Sequence, residues 1–155
     1  MKELTTSPVV IGEGAARAAR EFLTHNFGSD SGMLAVCDTN TEPIAKSLVG
    51  EIERYVFPSD VIADPDLTPP LKEHALGKKV LIAVGAGTIH DLARYVAHEL
   101  GLPFVSIPTA ASVDGFVSSV AAMTVGGQKI TFESSPPVAL FAEPSVFMSA
   151  PSRLT

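Results

Sequence analysis

The sequence has 155 residues, of which 46% are hydrophobic and 18% are charged, and its formal net charge is -6. This composition predicts one globular domain with its own core, and the 17 acidic against 11 basic residues argue against nucleic acid or an anionic membrane as partners. Cys37 is the single cysteine, and neither a secretory leader nor an apolar stretch of about 18 residues is recognisable, which predicts a cytoplasmic protein.

Short β-branched runs alternate with helical patterns along the chain, which is typical of βαβ units. Strands are predicted at residues 8–11, 33–37, 79–84, 104–107 and 138–142. Helices are predicted at residues 15–26, from about Pro43 to about Arg54, and at 89–100. The fold class is therefore α/β, with a Rossmann-like, mostly parallel sheet and flanking helices.

Two segments depart from this alternation. Residues 58–70 are rich in Pro and Asp and predict a surface loop that holds at most one short strand, around Val61. Gly126-Gly127 separates apolar runs at 121–125 and 128–132, a spacing that predicts a tight β-hairpin with a type I′ or II′ turn. Pro144 is expected to open a further helical turn.

Residues 80–96 carry the most informative pattern, because an apolar strand leads through glycines directly into a helix. Such a turn leaves the first amides of the helix unpaired beside the positive end of its dipole, which favours an anion. Gly85 and Gly87 would let a phosphate approach the backbone, and Thr88 would add a hydroxyl. The pattern is neither a Walker A loop nor a full G-x-G-x-x-G fingerprint, so a glycine turn that only packs helix on strand is an equal alternative.

Asp38 follows the second predicted strand, where α/β sheets place the carboxylate that binds an adenosine ribose and repels a 2′-phosphate. The alternative is an Asx turn or the N-cap of the next helix. The earlier Gly12-Glu13-Gly14 turn lacks the third glycine of a dinucleotide fingerprint and is interpreted as structural.

Small residues and hydroxyls fill residues 107–119, after the 104–107 strand. Ligands bind at this edge of open α/β sheets, and small side chains leave room for a flat ring. Thr109, Ser112 and Ser118 would donate hydrogen bonds, and Asp114 would bind a polyol hydroxyl. A capped turn between strands is the alternative.

Three of these features together resemble a known family. GAGTIHD at 85–91, PTAASVDGF at 108–116 and the strand-terminal Asp38 resemble the N-terminal half of glycerol-1-phosphate dehydrogenases, closer to the bacterial than to the archaeal members. These belong to the dehydroquinate synthase-like and iron-containing alcohol dehydrogenase superfamily. The resemblance covers nearly all of the chain. It implies an NAD(P)-binding α/β domain at residues 1–148 and, at 149–155, the start of a helical metal-binding domain that this chain lacks.

The resemblance also assigns site residues. Asp38 is expected to hold the adenosine ribose of NAD or NADP, and Asp114 to contact the substrate. The expected contacts with the pyrophosphate and the rest of the dinucleotide are Gly85, Gly87, Thr88, Ile89, His90, Asp91, Thr109, Ala110, Ala111, Ser112 and Ser118.

The reaction that the resemblance implies is reversible hydride transfer between the nicotinamide and C2 of glycerol 1-phosphate, a small phosphorylated polyol. A divalent metal, Zn, Ni or Fe, would polarise the C2 oxygen. Its ligands, one Asp and two His, would begin about ten residues beyond Thr155, so we expect neither a complete catalytic site nor a metal site in this chain. A substitute site from His90, Asp91 and Asp114 is disfavoured, because adjacent helical residues point about 100° apart.

Other functions stay open at this point. The chain would fit a non-catalytic nucleotide-binding module or pseudoenzyme, a glycerol dehydrogenase, or a dehydroquinate synthase-like protein. The absence of Gly-Gly-Lys shortly after Asp114 argues against the last. Without a second domain the chain should expose apolar surface, which predicts self-association into a homo-oligomer.

Overall fold

The structure is a computed structural model that describes residues 6–109 and 116–143. Its strands are β1 (Val9–Ile11), β2 (Met33–Asp38), β3 (Glu53–Phe57), β4 (Val80–Gly85), β5 (Phe104–Pro108), β6 (Val120–Val125), β7 (Gln128–Glu133) and β8 (Ala139–Ala142). Its helices are α1 (Ala15–Phe27), α2 (Glu42–Val49), α3 (Pro69–Ala75) and α4 (Gly87–Leu100). Two 3₁₀ turns, Asp30–Gly32 and Pro65–Leu67, complete the elements.

Six strands form one sheet in the order β1-β8-β5-β4-β2-β3, and every neighbouring pair is parallel. The central strands β4 and β5 are buried along their whole length, as expected where helices cover both faces. The predicted α/β class with a Rossmann-like sheet is confirmed.

The helices divide into two layers. One core cluster joins α1 and α2 to the sheet, and the other joins α3 and α4 to it. The chain leaves β2 through α2 toward β3, and leaves β4 through α4 toward β5, on the opposite side. Because these two paths diverge between adjacent strands, β2 and β4 flank the topological switch point, where open α/β sheets bind ligands. Among the described residues, no helix is long and apolar enough to span a bilayer.

The predicted hairpin is confirmed as β6 and β7, which pair antiparallel. Gly126 has φ 58° and Gly127 has φ 83°, the two positive values of a type I′ turn. The hairpin lies outside the main sheet, and Ala121 and Met123 join the core cluster of α4.

The second predicted helix is wrong at its C-terminal end. α2 ends at Val49 and Gly50 follows with φ 81°, a conformation that terminates helices. The next residues include Tyr55, Val56 and Phe57, which favour a strand, and they form the edge strand β3.

The Pro-rich segment was also only partly predicted. No strand forms around Val61, whose amide instead donates to Pro58 O at 3.1 Å. Pro69 and Pro70 open α3, because proline at the first turn of a helix loses no hydrogen bond. The turn predicted at Pro144 and the element at 149–155 lie outside the described residues.

We expect α3 to be a structural part of the core. Leu71 is 0% exposed, so Leu71→Ala should lower the free energy of unfolding by about 2–5 kcal/mol. Leu76, at the end of the same helix, is 68% exposed, and Leu76→Ala should change it by less than about 0.5 kcal/mol. Urea unfolding of both variants measures the difference, and equal effects would contradict this placement of α3.

Candidate functional site

The carboxyl ends of β2, β4 and β5 lie side by side. Val36 on β2 pairs with Ala83 on β4, and Gly85 at the end of β4 pairs with Pro108 on β5. Two residues beyond Val36 comes Asp38, two beyond Gly85 comes Gly87, and Thr109 follows Pro108. The structure therefore brings Asp38, Gly87 and Thr109, one residue from each predicted segment, to the carboxyl ends of three adjacent strands.

The turn between β4 and α4 presents amides that have no hydrogen-bond partner among residues 6–109 and 116–143. The first hydrogen bond of the helix runs from His90 N to Ala86 O at 3.1 Å, so the amides of Gly87, Thr88 and Ile89 precede its ladder. Gly87 is exposed, and a Cβ at this position would have no neighbour within 4 Å. Among the described residues, nothing therefore fills the space beside Gly87 that an anion would occupy.

Gly85 has a different role. A Cβ here would lie 2.8 Å from the Ile89 Cβ, closer than atoms pack. Gly85 is therefore the glycine that lets α4 pack on β4, and Gly87 is the one that faces open space. The structural interpretation of this turn therefore applies to Gly85, whereas the contact of Gly87 with a phosphate stays a prediction.

Ile89 and His90 turn their side chains inward. Ile89 is buried in the core between α4 and the sheet, and His90 is 1% exposed. Their side chains therefore face away from the open side of the turn, whereas Thr88 is half-buried beside it.

His90 connects the turn to β5. Its Nδ1 lies 3.1 Å from Ala86 O and its Nε2 lies 2.7 Å from Ser106 Oγ. Burial lowers the pKa of His90 to about 3, so the ring is neutral. Since a carbonyl only accepts, Nδ1 carries the proton, and Nε2 accepts from the Ser106 hydroxyl.

Asp38 forms the Asx turn that was the alternative to ribose binding. Its Oδ1 accepts from the amides of Asn40 at 2.8 Å and Thr41 at 2.9 Å. Within residues 6–109 and 116–143, the hydrogen bonds to this carboxylate all reach Oδ1. The turn therefore leaves Oδ2 at the sheet edge as an acceptor.

Thr41 is a site residue that sequence reasoning missed. Its hydroxyl accepts from Asp38 N at 3.0 Å and lies 3.0 Å from Val84 O, to which it donates. It thereby ties the ends of β2 and β4 across the switch point. Its position just before Glu42 and Pro43, at the start of a helix, was the available signal.

Thr109 and Ser118 flank the remaining part of the predicted site. Thr109 is buried, and its amide donates to Gly85 O at 3.1 Å, beside the turn. Ser118 Oγ accepts from Val120 N at 3.0 Å, which is the capped turn of the alternative interpretation. The other predicted contacts in this segment, namely Ala110, Ala111, Ser112 and Asp114, lie outside the described residues.

Asp91 faces the hairpin. Its Oδ1 lies 3.0 Å from Arg94 Nη1 and accepts from Ala122 N at 3.3 Å. Burial raises the pKa of the Asp91 carboxyl, although the Arg94 charge acts in the opposite direction. Arg94 itself was missed by sequence reasoning, and its signal was a charged residue four positions after His90, on the inward face of α4.

No metal site forms in the part of the chain that the structure describes. Groups of three or more His, Cys, Asp or Glu side chains that could hold an ion are absent there. His25 and His98 are exposed on their helices. The described residues therefore do not fit a catalytic metal.

We expect the two glycines of the turn to respond differently to alanine. Gly85→Ala should cost about 1–3 kcal/mol of stability, because its Cβ overlaps Ile89. Gly87→Ala, two residues away in open space, should cost much less. Thermal unfolding of both variants tests this, and a Gly85→Ala protein as stable as wild type would contradict the packing.

We expect His90 to make stability depend on pH. The unfolded state takes up a proton below the ordinary pKa of 6.5, whereas folded His90 does so only near 3. Its stabilising effect is therefore constant above this ordinary value and decreases as the pH falls, by up to about 1.4 kcal/mol per pH unit. Urea unfolding between about pH 7 and about pH 4, with His90→Gln as the non-titrating control, measures it. If the stability of the wild type and of His90→Gln changed with pH in parallel, the burial of His90 would be contradicted.

Comparison with known sequences identifies relatives over nearly the whole chain. The profile of the iron-containing alcohol dehydrogenase family matches residues 10–151. Glycerol-1-phosphate dehydrogenase [NAD(P)+] of Bacillus velezensis is 36% identical over 160 residues, which cover 95% of this chain and 40% of the relative. The protein of the same name from Methanococcoides burtonii is 31% identical, covering 94% and 43%. The chain spans about 40% of the length of these curated relatives.

Solved structures agree with the fold. Glycerol dehydrogenase from Schizosaccharomyces pombe matches 99% of this chain with 41% of its own, at TM-score 0.76 and 23% identity. An iron-containing alcohol dehydrogenase from Corynebacterium glutamicum matches 99% with 44% of its own, at TM-score 0.80 and 20% identity. At these identities the likeness concerns the fold alone. Because the family profile covers most of its length, the chain belongs to the iron-containing alcohol dehydrogenase family.

Proposed function

We propose that this chain binds NAD or NADP across the carboxyl ends of β2, β4 and β5, as the dinucleotide-binding part, residues 1–148, of a glycerol-1-phosphate dehydrogenase-like oxidoreductase. One observation carries the proposal: the amides of residues 87–89, which have no partner in the part of the chain that the structure describes, and the Asp38 carboxylate lie at the carboxyl ends of the adjacent strands β4 and β2. The names of the relatives, glycerol-1-phosphate dehydrogenase [NAD(P)+], support it.

The order of the strands suggests how the dinucleotide lies. The pyrophosphate would accept hydrogen bonds from the amides of residues 87–89, where the dipole of α4 favours negative charge. One nucleoside would then extend over β2, with its ribose hydroxyls donating to Asp38 Oδ2. The other would extend over β5, toward Thr109 and Ser118. The charge of Asp38 favours NAD over NADP, because it repels a 2′-phosphate.

Not every residue of the motif would touch the ligand with its side chain. Ile89 and His90 would contribute through the backbone, since their side chains are buried. Gly85 and Asp91 would act by packing and by holding the hairpin. Ala110, Ala111, Ser112 and the substrate contact Asp114 are proposed on the motif alone.

The chemistry would be hydride transfer between the nicotinamide and a small phosphorylated polyol, glycerol 1-phosphate. The dinucleotide supplies the hydride acceptor when it is bound. The described residues present no group of side chains that fits a metal ion, so none of them is assigned a metal-dependent role.

A cytoplasmic location and self-association are also proposed. The buried free thiol of Cys37 suits a reducing compartment. Val9 and Ile11 on the edge strand β1 are exposed apolar residues that suit contact between copies.

We expect Asp38→Asn to separate the two functions of this carboxylate. Asparagine keeps an Oδ1 acceptor for the Asx turn, so stability should hold, but it loses the charge at the ribose. NADH affinity should fall about tenfold, and the preference for NADH over NADPH should shrink. Titration calorimetry measures both.

The matched control is Asp30→Asn, an exposed carboxylate in the turn that precedes β2, at the opposite edge of the sheet. This variant should bind as wild type does. An Asp38→Asn protein that is folded and keeps its NADH affinity would contradict the proposed ribose contact.

A further inference from the structure

Arg94 is a buried cation on the helix that begins at the candidate site. The residue is 1% exposed and lies one turn after His90 on α4. Its Nη2 donates to Phe116 O at 3.2 Å, and its Nη1 donates to Val120 O at 3.3 Å. One guanidinium therefore holds the main chain at both ends of residues 116–120.

Phe116 is held a second time through its ring. The ring is buried and packs edge-to-face on the His90 imidazole, with centroids 4.4 Å apart. Two side chains of α4, one turn apart, thus fix the ring and the carbonyl of the same residue. Its position relative to α4 is therefore set by two independent contacts.

Asp91 completes the contact. It receives a hydrogen bond from Arg94 Nη1 at 3.0 Å and another from Ala122 N at 3.3 Å, on β6. The carboxylate thus balances the buried positive charge and binds the hairpin just beyond Val120. The planar guanidinium presents several N–H donors in a fixed fork and can bind a carboxylate and two carbonyls at once. A lysine ammonium is a compact charge and cannot reach all three.

We propose that Arg94, together with Asp91, is a positioning residue for the half of the dinucleotide that extends over β5. This inference rests on the proposed function. The N-terminus of α4 would bind the pyrophosphate, while Arg94 on the same helix fixes the segment that carries Ser118. The spacing between these two parts of the site is therefore set by α4. The adenosine half, over β2, would not contact this segment.

The test compares two ligands that share the adenosine and diphosphate groups. ADP and NADH are titrated into the wild-type chain and into Arg94→Lys, which keeps the charge beside Asp91 but loses the fork. Arg94→Lys should weaken NADH binding about tenfold and leave ADP binding unchanged. NADH fluorescence should show the same loss, because it reports the surroundings of the nicotinamide.

Arg20→Lys is the matched control. Arg20 Nη1 donates to Leu48 O at 3.1 Å, so this arginine also bridges to a carbonyl, but it joins α1 to α2 on the other face of the sheet. It should alter neither affinity. If Arg94→Lys does not fold, Phe116→Leu takes its place, because it keeps the carbonyl and removes the ring contact; the same selective loss is expected.

The outcomes separate the two proposals. Selective loss of NADH affinity supports the inference, since a purely structural role would weaken both ligands together. Equal losses, or no loss, in a folded variant would overturn the inference alone. A wild-type chain that binds neither ligand would overturn the proposed function and this inference with it.

Discussion

Ile89 packs so closely on Gly85 that a Cβ added to the glycine would lie 2.8 Å from the Cβ of Ile89. Much of the candidate site depends on this contact. It draws α4 against the end of β4, so the helix begins only two residues after the strand ends. The first amides of α4 consequently lie at the sheet edge, directly beside Asp38 and Thr109. A wider approach would displace the amides and, with them, every side chain that α4 directs inward. A core contact with no chemical role thus sets the geometry of the proposed anion site.

The inward face of α4 carries two polar side chains, His90 and Arg94, which would destabilise the fold without partners. They are accommodated differently. His90 is neutral and its ring nitrogens are shared between Ala86 and Ser106, so it links the turn to β5. Arg94 stays charged, is balanced by Asp91 and links α4 to the chain at Phe116 and Val120. Because hydrogen bonds are directional, these contacts fix neighbouring segments more narrowly than apolar packing does.

Much of this was predictable, and the exceptions have physical reasons. The continuous apolar runs of β2, β4 and β5 and the Gly126-Gly127 turn are local signals, and they predicted the sheet and the hairpin. β3 and α3 were missed because prolines and a few charges conceal short elements whose stability comes from tertiary packing. In the candidate site, Asp38 and the glycine turn each follow a predicted strand directly, and this position predicted their place at the carboxyl edge of the sheet. The contacts of His90 with Ser106 and of Arg94 with Phe116 and Val120 join residues 16 to 26 positions apart, so no local pattern predicted them.

Charge presents the last constraint, because a chain of net charge -6 would have to bind an anionic dinucleotide. Screening at physiological salt limits the general repulsion to about 8 Å, so the local field decides. Asp91 lies in the second turn of α4. If its carboxylate faced the β4–α4 connection, its negative charge would weaken the attraction of the helix N-terminus for an anion. It instead points to the hairpin and is paired with Arg94, which compensates its charge. Asp38 is the carboxylate placed where a ribose, not a phosphate, would lie. The negative charges near the turn are thus arranged so that the amides of α4 keep their attraction for an anion.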